Sequence, residues 1–281
     1  MLVARKSASV AAMAAFAMAW LIGSGGASAE GPVNWQLNLQ APATPVMAQI
    51  YDFHNELLVI ITVVSAVVLG LLVVVAVRFR EKRNPVPSKT AHHTTLEVAW
   101  TVIPVLILLF IATKSFPLLY FADHTTEPAM TVKAVGHQWY WSYVYPDSGN
   151  FTFDAYLNQE ATGDQRLFET DNHLVVPVNT KIRLLITADD VLHAFAMPAF
   201  GIKLDAVPGK TNETWMEVTR EGTFYGQCSE LCGDGHGYMP IAIDVVSKEK
   251  FDAWVAEAQT KFSKVDGAPA VQTVAQAPSA N

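Results

Sequence analysis

Two long apolar runs set the plan of this chain. Leu57 to Val77 is uncharged and almost wholly aliphatic. As a helix its 21 residues rise about 1.5 Å each, roughly 31 Å in all, which matches the hydrocarbon core of a bilayer. Val98 to Leu119 forms a second run, with Pro104 and Pro117 as expected kinks and Lys114 placed late enough to snorkel outward. Arg78, Arg80, Lys82, Arg83 and Lys89 lie between the runs, whereas residues 30–56 contain no Lys or Arg. The positive-inside rule therefore puts the loop 78–97 in the cytoplasm and both mature ends outside. The expected architecture is a membrane-anchored all-β protein. Helices 57–77 and 98–119 make a transmembrane hairpin, preceded by a periplasmic segment over 30–56 and followed by an outer domain over 120–262.

The first 29 residues read as a secretory leader. Arg5 and Lys6 precede an apolar run, and Ala27-Ser28-Ala29 is a small-residue cleavage site. A third membrane helix is the competing reading, against which the apolar run is short. Residues 263–281 are Ala, Pro, Gln, Ser and Val-rich, a composition expected to be disordered.

Between these ends, Thr131–Val135, Tyr140–Tyr145, Phe151–Tyr156, Lys181–Thr187, Thr214–Val218 and Ile241–Val246 are β-branched or aromatic runs separated by Gly, Pro, Asn and Asp. Their spacing predicts a sandwich or Greek-key barrel. Ser247 to Phe262 has a capping residue and an apolar stripe of Phe251, Trp254, Val255 and Ala258, so a closing helix is expected. From Tyr120 onward, 21 acids stand against 11 bases, a net −10 within a chain whose total is −7. An acidic outer body suits a cationic partner and argues against nucleic acid.

The chemistry is concentrated in Cys228-Ser-Glu-Leu-Cys-Gly-Asp-Gly-His-Gly-Tyr-Met-Pro240, which holds both cysteines. Two thiolates, the His236 imidazole and the Met239 thioether are soft donors, suited to copper among first-row metals. Glycines at 233, 235 and 237 allow a tight loop. Several readings compete. A disulfide leaves His236 and Met239 without a role. Zinc accepts Met poorly. A single blue-copper ion uses one Cys, not two. With an upstream imidazole and a loop carbonyl the set reaches six donors, generous for one ion and sensible for two sharing the sulfurs. His137, His173 and His193 are candidates for the second imidazole, each weighed against an ordinary packed histidine. In Gly136-His-Gln-Trp-Tyr-Trp-Ser-Tyr143, strand alternation puts Trp139 and Trp141 on one face and Tyr140 on the other. One group is expected in the core and the other toward a partner, the membrane or a metal.

These motifs, with DDVLHAFAMP and LDAVPG, resemble subunit II of the bacterial and mitochondrial aa3-type cytochrome c oxidases. The resemblance runs from about residue 45 to about residue 250 and implies a cupredoxin-like Greek-key β-barrel. It also implies a dinuclear copper centre, CuA, held by His193, Cys228, Cys232, His236, Met239 and the backbone carbonyl of Glu230. The Glu230 carboxylate matches a ligand of Mg2+ or Mn2+ shared with subunit I. Trp139 matches the tryptophan through which electrons arrive from cytochrome c, and Asp154 and Asp190 match acids of the docking face. The chain departs from the family at Val144, where an acid is common. Glu97 matches a carboxylate at the mouth of a proton channel, although Thr94-Thr-Leu-Glu97 also fits a capping box, where the acid serves only structure. The implied complex is a proton-pumping terminal oxidase of the bacterial inner membrane. In it, electrons pass from cytochrome c to the haem a and haem a3–CuB sites of subunit I, beside subunit III, and O2 is reduced to water. A copper chaperone, a quinol oxidase subunit II and nitrous oxide reductase each share one feature. They differ by a thioredoxin pattern, by missing copper ligands and by a large additional catalytic domain, respectively.

Overall fold

The computed structural model describes residues 29–123 and 127–262. The expected tail lies outside these residues, as does the expected leader except for Ala29. Two helices long and apolar enough to cross a membrane come first: α1 over Pro45–Arg78 and α2 over Thr94–Asp123. At about 1.5 Å per residue they are roughly 51 and 45 Å long, well beyond the apolar core. Each therefore extends past the run expected from composition, and the extra turns at the outer ends reach the β domain. Thr44 caps α1, its Oγ1 accepting from the Met47 N–H at 3.0 Å. Lys114 does not stand alone in α2: its Nζ meets Glu56 of α1 at 3.3 Å.

The β domain is built from two packed sheets. The strands are β1 (Ala29–Glu30), β2 (Met130–His137), β3 (Tyr140–Tyr145), β4 (Phe151–Ala155), β5 (Leu174–Pro177), β6 (Ile182–Ala188), β7 (His193–Met197), β8 (Ile202–Ala206), β9 (Asn212–Met216), β10 (Gly222–Cys228) and β11 (Pro240–Val246). One sheet runs β5-β11-β10-β7-β8, with β1 added alongside β10; the other runs β4-β3-β2-β6-β9. In β2 alternate residues are buried, including Val132 and Ala134, as expected of a strand with one face on a core. Helix α3 (Lys248–Lys261) lays Trp254 against Tyr145 and Phe151, while Phe262 stacks on Phe153 at 4.8 Å.

The six strands expected from residue patterns are all present, with β9 shifted two residues toward the N-terminus. Four of the five additional strands have physical reasons for escaping a pattern search. All five residues of β7 are buried, so it shows no alternation. β10 carries glycines at both 222 and 226, which depress strand propensity. β1 and β5 are only 2 and 4 residues long.

Candidate metal centre

The site is assembled at one end of the first sheet. β10 and β7 run antiparallel, with Cys228 opposite Phe195 and Gln227 opposite Ala196. The pairing continues one step into the loop, where the Ser229 N–H donates to the Ala194 carbonyl at 3.0 Å. His193, the first residue of β7, is thereby set beside the opening of the loop that follows Cys228. The far end of that loop is tied back by the Cys228 N–H, which donates to the Met239 carbonyl at 3.3 Å. A tight turn over His236–Tyr238 brings the second imidazole inward.

The donors converge on the two sulfurs. Cys228 Sγ and Cys232 Sγ are 3.9 Å apart. A disulfide needs about 2.05 Å, so both thiols are free. An imidazole stands beside each: His193 Nδ1 is 3.8 Å from Cys228 Sγ, and His236 Nδ1 is 3.5 Å from Cys232 Sγ. Met239 Sδ lies 3.6 Å from Cys232 Sγ, and the Glu230 carbonyl oxygen 3.4 Å from Cys228 Sγ. His193, Cys228 and Cys232 are buried and near enough to hold one ion in common. Sulfur, imidazole, thioether and carbonyl in this number make a soft set that fits copper.

Burial alone would raise both thiol pKa values. At Cys228 the hydrogen bonds led by His193 override burial and hold the thiol below its ordinary range. At Cys232 burial and the charge on Cys228 push the thiol up. The first proton therefore leaves Cys228, and thiolate is the form that ligates.

Among the other candidate histidines, His137 stacks on Tyr140 at 4.5 Å, and Tyr140 in turn stacks on Tyr156. His173 sits between Glu169 and Asp244. The register of the fold selects His193 from the three, which residue patterns left open.

Trp139 lies in the turn between β2 and β3 rather than in a strand, so alternation does not place it. Its indole Nε1–H donates to the Cys232 carbonyl at 3.2 Å. Trp141 is fully buried, edge-on to the His193 ring, and Tyr140 faces the other way. Asp154 accepts from Ser142 Oγ at 2.6 Å. Glu230 presents an exposed side chain. Glu97 is far from this centre, at the start of α2, where its Oε1 accepts from the His93 N–H at 3.1 Å. The capping contact therefore exists, one residue earlier than the sequence pattern suggested.

Four contacts were not legible in the sequence, one made by the Gln138 side chain and three by Asp190. The Gln138 side chain donates to the same Cys232 carbonyl at 2.8 Å. Asp190 accepts from the Gln138 N–H at 2.7 Å and the Val191 N–H at 2.6 Å, and its Oδ1 is 2.9 Å from His193 Nε2. Holding Nε2 leaves Nδ1 directed at Cys228, the usual way a carboxylate orients a ligating histidine. The Asp-Asp pair before His193 was the available signal, but it read equally well as surface charge.

Comparison with known proteins places these observations. A family model described as cytochrome c oxidase subunit II, transmembrane domain, matches residues 32–118, and one described as its periplasmic domain matches 130–246. The probable cytochrome c oxidase subunit 2 of Rickettsia prowazekii (strain Madrid E) is 51% identical over 240 residues, 84% of this chain and 77% of that protein. Cytochrome c oxidase subunit 2 of Phytophthora megasperma is 49% identical, covering 79% of this chain and 86% of that protein. Among solved structures, the periplasmic domain of subunit II of cytochrome oxidase (CoxB) of Bradyrhizobium japonicum is 53% identical. It covers 50% of this chain and 100% of its own, with a TM-score of 0.48.

Proposed function

This chain belongs to the cytochrome c oxidase subunit II family, and from that premise we propose that it is the subunit through which electrons reach a proton-pumping terminal oxidase. It takes them from cytochrome c at a dinuclear CuA centre and hands them to the haem of subunit I. The observation that carries this reading is the gathering of two imidazoles, a thioether and a carbonyl about two free sulfurs 3.9 Å apart. His193, Cys228, the Glu230 carbonyl, Cys232, His236 and Met239 would hold the copper. Copper held by these residues would supply a one-electron carrier, and the tight loop would keep its donors in place.

The chain's own residues divide the remaining work. Asp190 orients His193. Gln138 and Trp139 fasten the Cys232 carbonyl, and Trp139, partly exposed above it, gives an arriving electron a contact one hydrogen bond from a ligand residue. The acidic surface, Asp154 included, attracts a basic cytochrome c; such attraction speeds encounter and weakens as salt shortens screening to about 8 Å. The exposed Glu230 carboxylate would supply one ligand to a Mg2+ or Mn2+ completed by subunit I, and Glu97 would admit protons from the cytoplasmic side. The leader-like residues 1–29 and the basic loop at 78–97 support a β domain in the periplasm, above the bacterial inner membrane.

Full-length chain loaded with copper is expected to take up two ions and to show one unpaired electron shared by both nuclei. Cys228→Ser and Cys232→Ser each abolish that signal, and one ion per chain with single-nucleus hyperfine structure sinks the reading. In the assembled oxidase, Trp139→Gln is expected to slow electron arrival sharply with the KM for cytochrome c nearly unchanged. A change in KM alone would make Trp139 a docking residue.

A further inference from the structure

The outer ends of both membrane helices are sealed by the β domain, each at a separate point. At α1, the Ala43 N–H donates to the Ala199 carbonyl at 2.8 Å, and the Ala43 carbonyl accepts from the Thr219 N–H at 2.9 Å. Thr44, the helix cap, donates its hydroxyl to the Phe200 carbonyl at 2.8 Å, and Arg220 reaches the Pro42 carbonyl at 2.7 Å. Ala43, Thr44, Val46 and Met47 are all buried there. Gly201 makes the close fit possible. Its φ of +73° lies in the left-handed region, and a Cβ would stand 2.8 Å from Ile50 Cδ1 and 3.2 Å from Met47 Cα. At α2, Trp215 of β9 is 6% exposed and donates its indole N–H to the Phe121 carbonyl at 2.9 Å. The two rings meet edge to face at 5.4 Å. Phe121 is in the last turn of α2, where carbonyls lack helical partners, so this bond satisfies a group that otherwise needs water.

The first seal is mechanically close to the metal centre. Residues 198–201 form the turn joining β7 to β8, and β7 carries His193 at its other end. The strand between them is only five residues long, so fixing this turn on α1 fixes where the whole site stands above the helices. Glu56 and Lys114 join the helices to each other, so the two seals and the helix pair make a closed frame.

We infer that Gly201 and Trp215 are positioning residues for electron exit: they lock the β domain onto the two membrane helices at two points, fixing where the copper centre stands relative to the acceptor in the membrane. This rests on the electron-carrier reading above. Neither residue touches a copper ligand, so changing them leaves the carrier intact and moves it as a body.

The test uses the assembled oxidase with flash-driven reduction of copper, following its reduction and its reoxidation by the haem separately. In Trp215→Leu and Gly201→Val the copper spectrum, copper content and KM for cytochrome c stay at wild-type values. Onward transfer falls at least several-fold, because electron tunnelling weakens steeply with the separation and orientation of the two centres. Trp215→Phe, which keeps a ring and loses only the hydrogen bond to Phe121, falls less and keeps the test open should the larger changes block assembly. Unchanged onward transfer in the assembled variants overturns the inference. A wild-type chain whose copper is not photoreduced overturns the electron-carrier reading instead.

Discussion

Gly235 lies flat against the indole of Trp139, so closely that a Cβ at position 235 would stand 2.3 Å from Trp139 Cδ2 and 2.4 Å from Cγ. No side chain fits unless the tryptophan moves. The φ of Gly235 is −88°, open to alanine, so Gly235→Ala leaves the loop backbone undisturbed and displaces the ring alone. The expected outcome is normal copper content and spectrum, altered tryptophan fluorescence and slower electron arrival from cytochrome c. Normal arrival with a displaced ring would show that the contact between Trp139 and Cys232 is not the route.

Asp190 has three hydrogen bonds to satisfy, and one orients His193. Asp190→Ala is expected to weaken copper retention about 10- to 100-fold, the usual cost of losing a carboxylate behind a ligating histidine. A competitive chelator titration measures it. Asp154→Asn, whose partner is Ser142, leaves copper affinity unchanged. Equal copper affinity in wild type and Asp190→Ala would return Asp190 to a docking role only.

His173 gives the β domain an alkaline limit. Burial works to lower its pKa, but Asp244, 3.0 Å from Nδ1, and Glu169 at Nε2 override burial and raise it to about 9. Thr223 and Tyr225 bind the same two carboxylates from β10. A pKa raised in the folded state contributes stability fully below the unfolded value of 6.5, and that contribution fades as pH rises through about 9. Its size is on the order of 3 kcal/mol. Unfolding followed from about pH 6 to about pH 10 should show this decline in wild type and not in His173→Gln. Parallel curves would assign the loss to other groups.

Glu97 separates its two roles by substitution. Its carboxylate accepts from the His93 N–H, a job glutamine can also do. Glu97→Ala is expected to loosen the start of α2 by about 1 kcal/mol, whereas Glu97→Gln should not. If Glu97 also passes protons, both variants slow turnover per assembled oxidase with the copper spectrum intact. Full turnover in Glu97→Gln would leave only the cap.

The sequence by itself determined whatever depends on near neighbours. Apolar runs long enough for a bilayer, a basic loop between them, alternation in β2, and five donors within twelve residues are all properties of short windows. Local forces suffice to realise them: helix hydrogen bonds close over four residues, and a glycine-rich loop brings its own donors together.

Tertiary structure decided what depends on register between distant strands. β7 against β10 chose His193 over His137 and His173, and β2 beside β6 brought the turn at Trp139 to Asp190 and to the copper loop. The mounting of both helices through Gly201 and Trp215 joins residues as far apart as Thr44 and Phe200. Such contacts leave no periodicity in the chain, because each is made by one residue whose partner is set by the packing of two whole sheets.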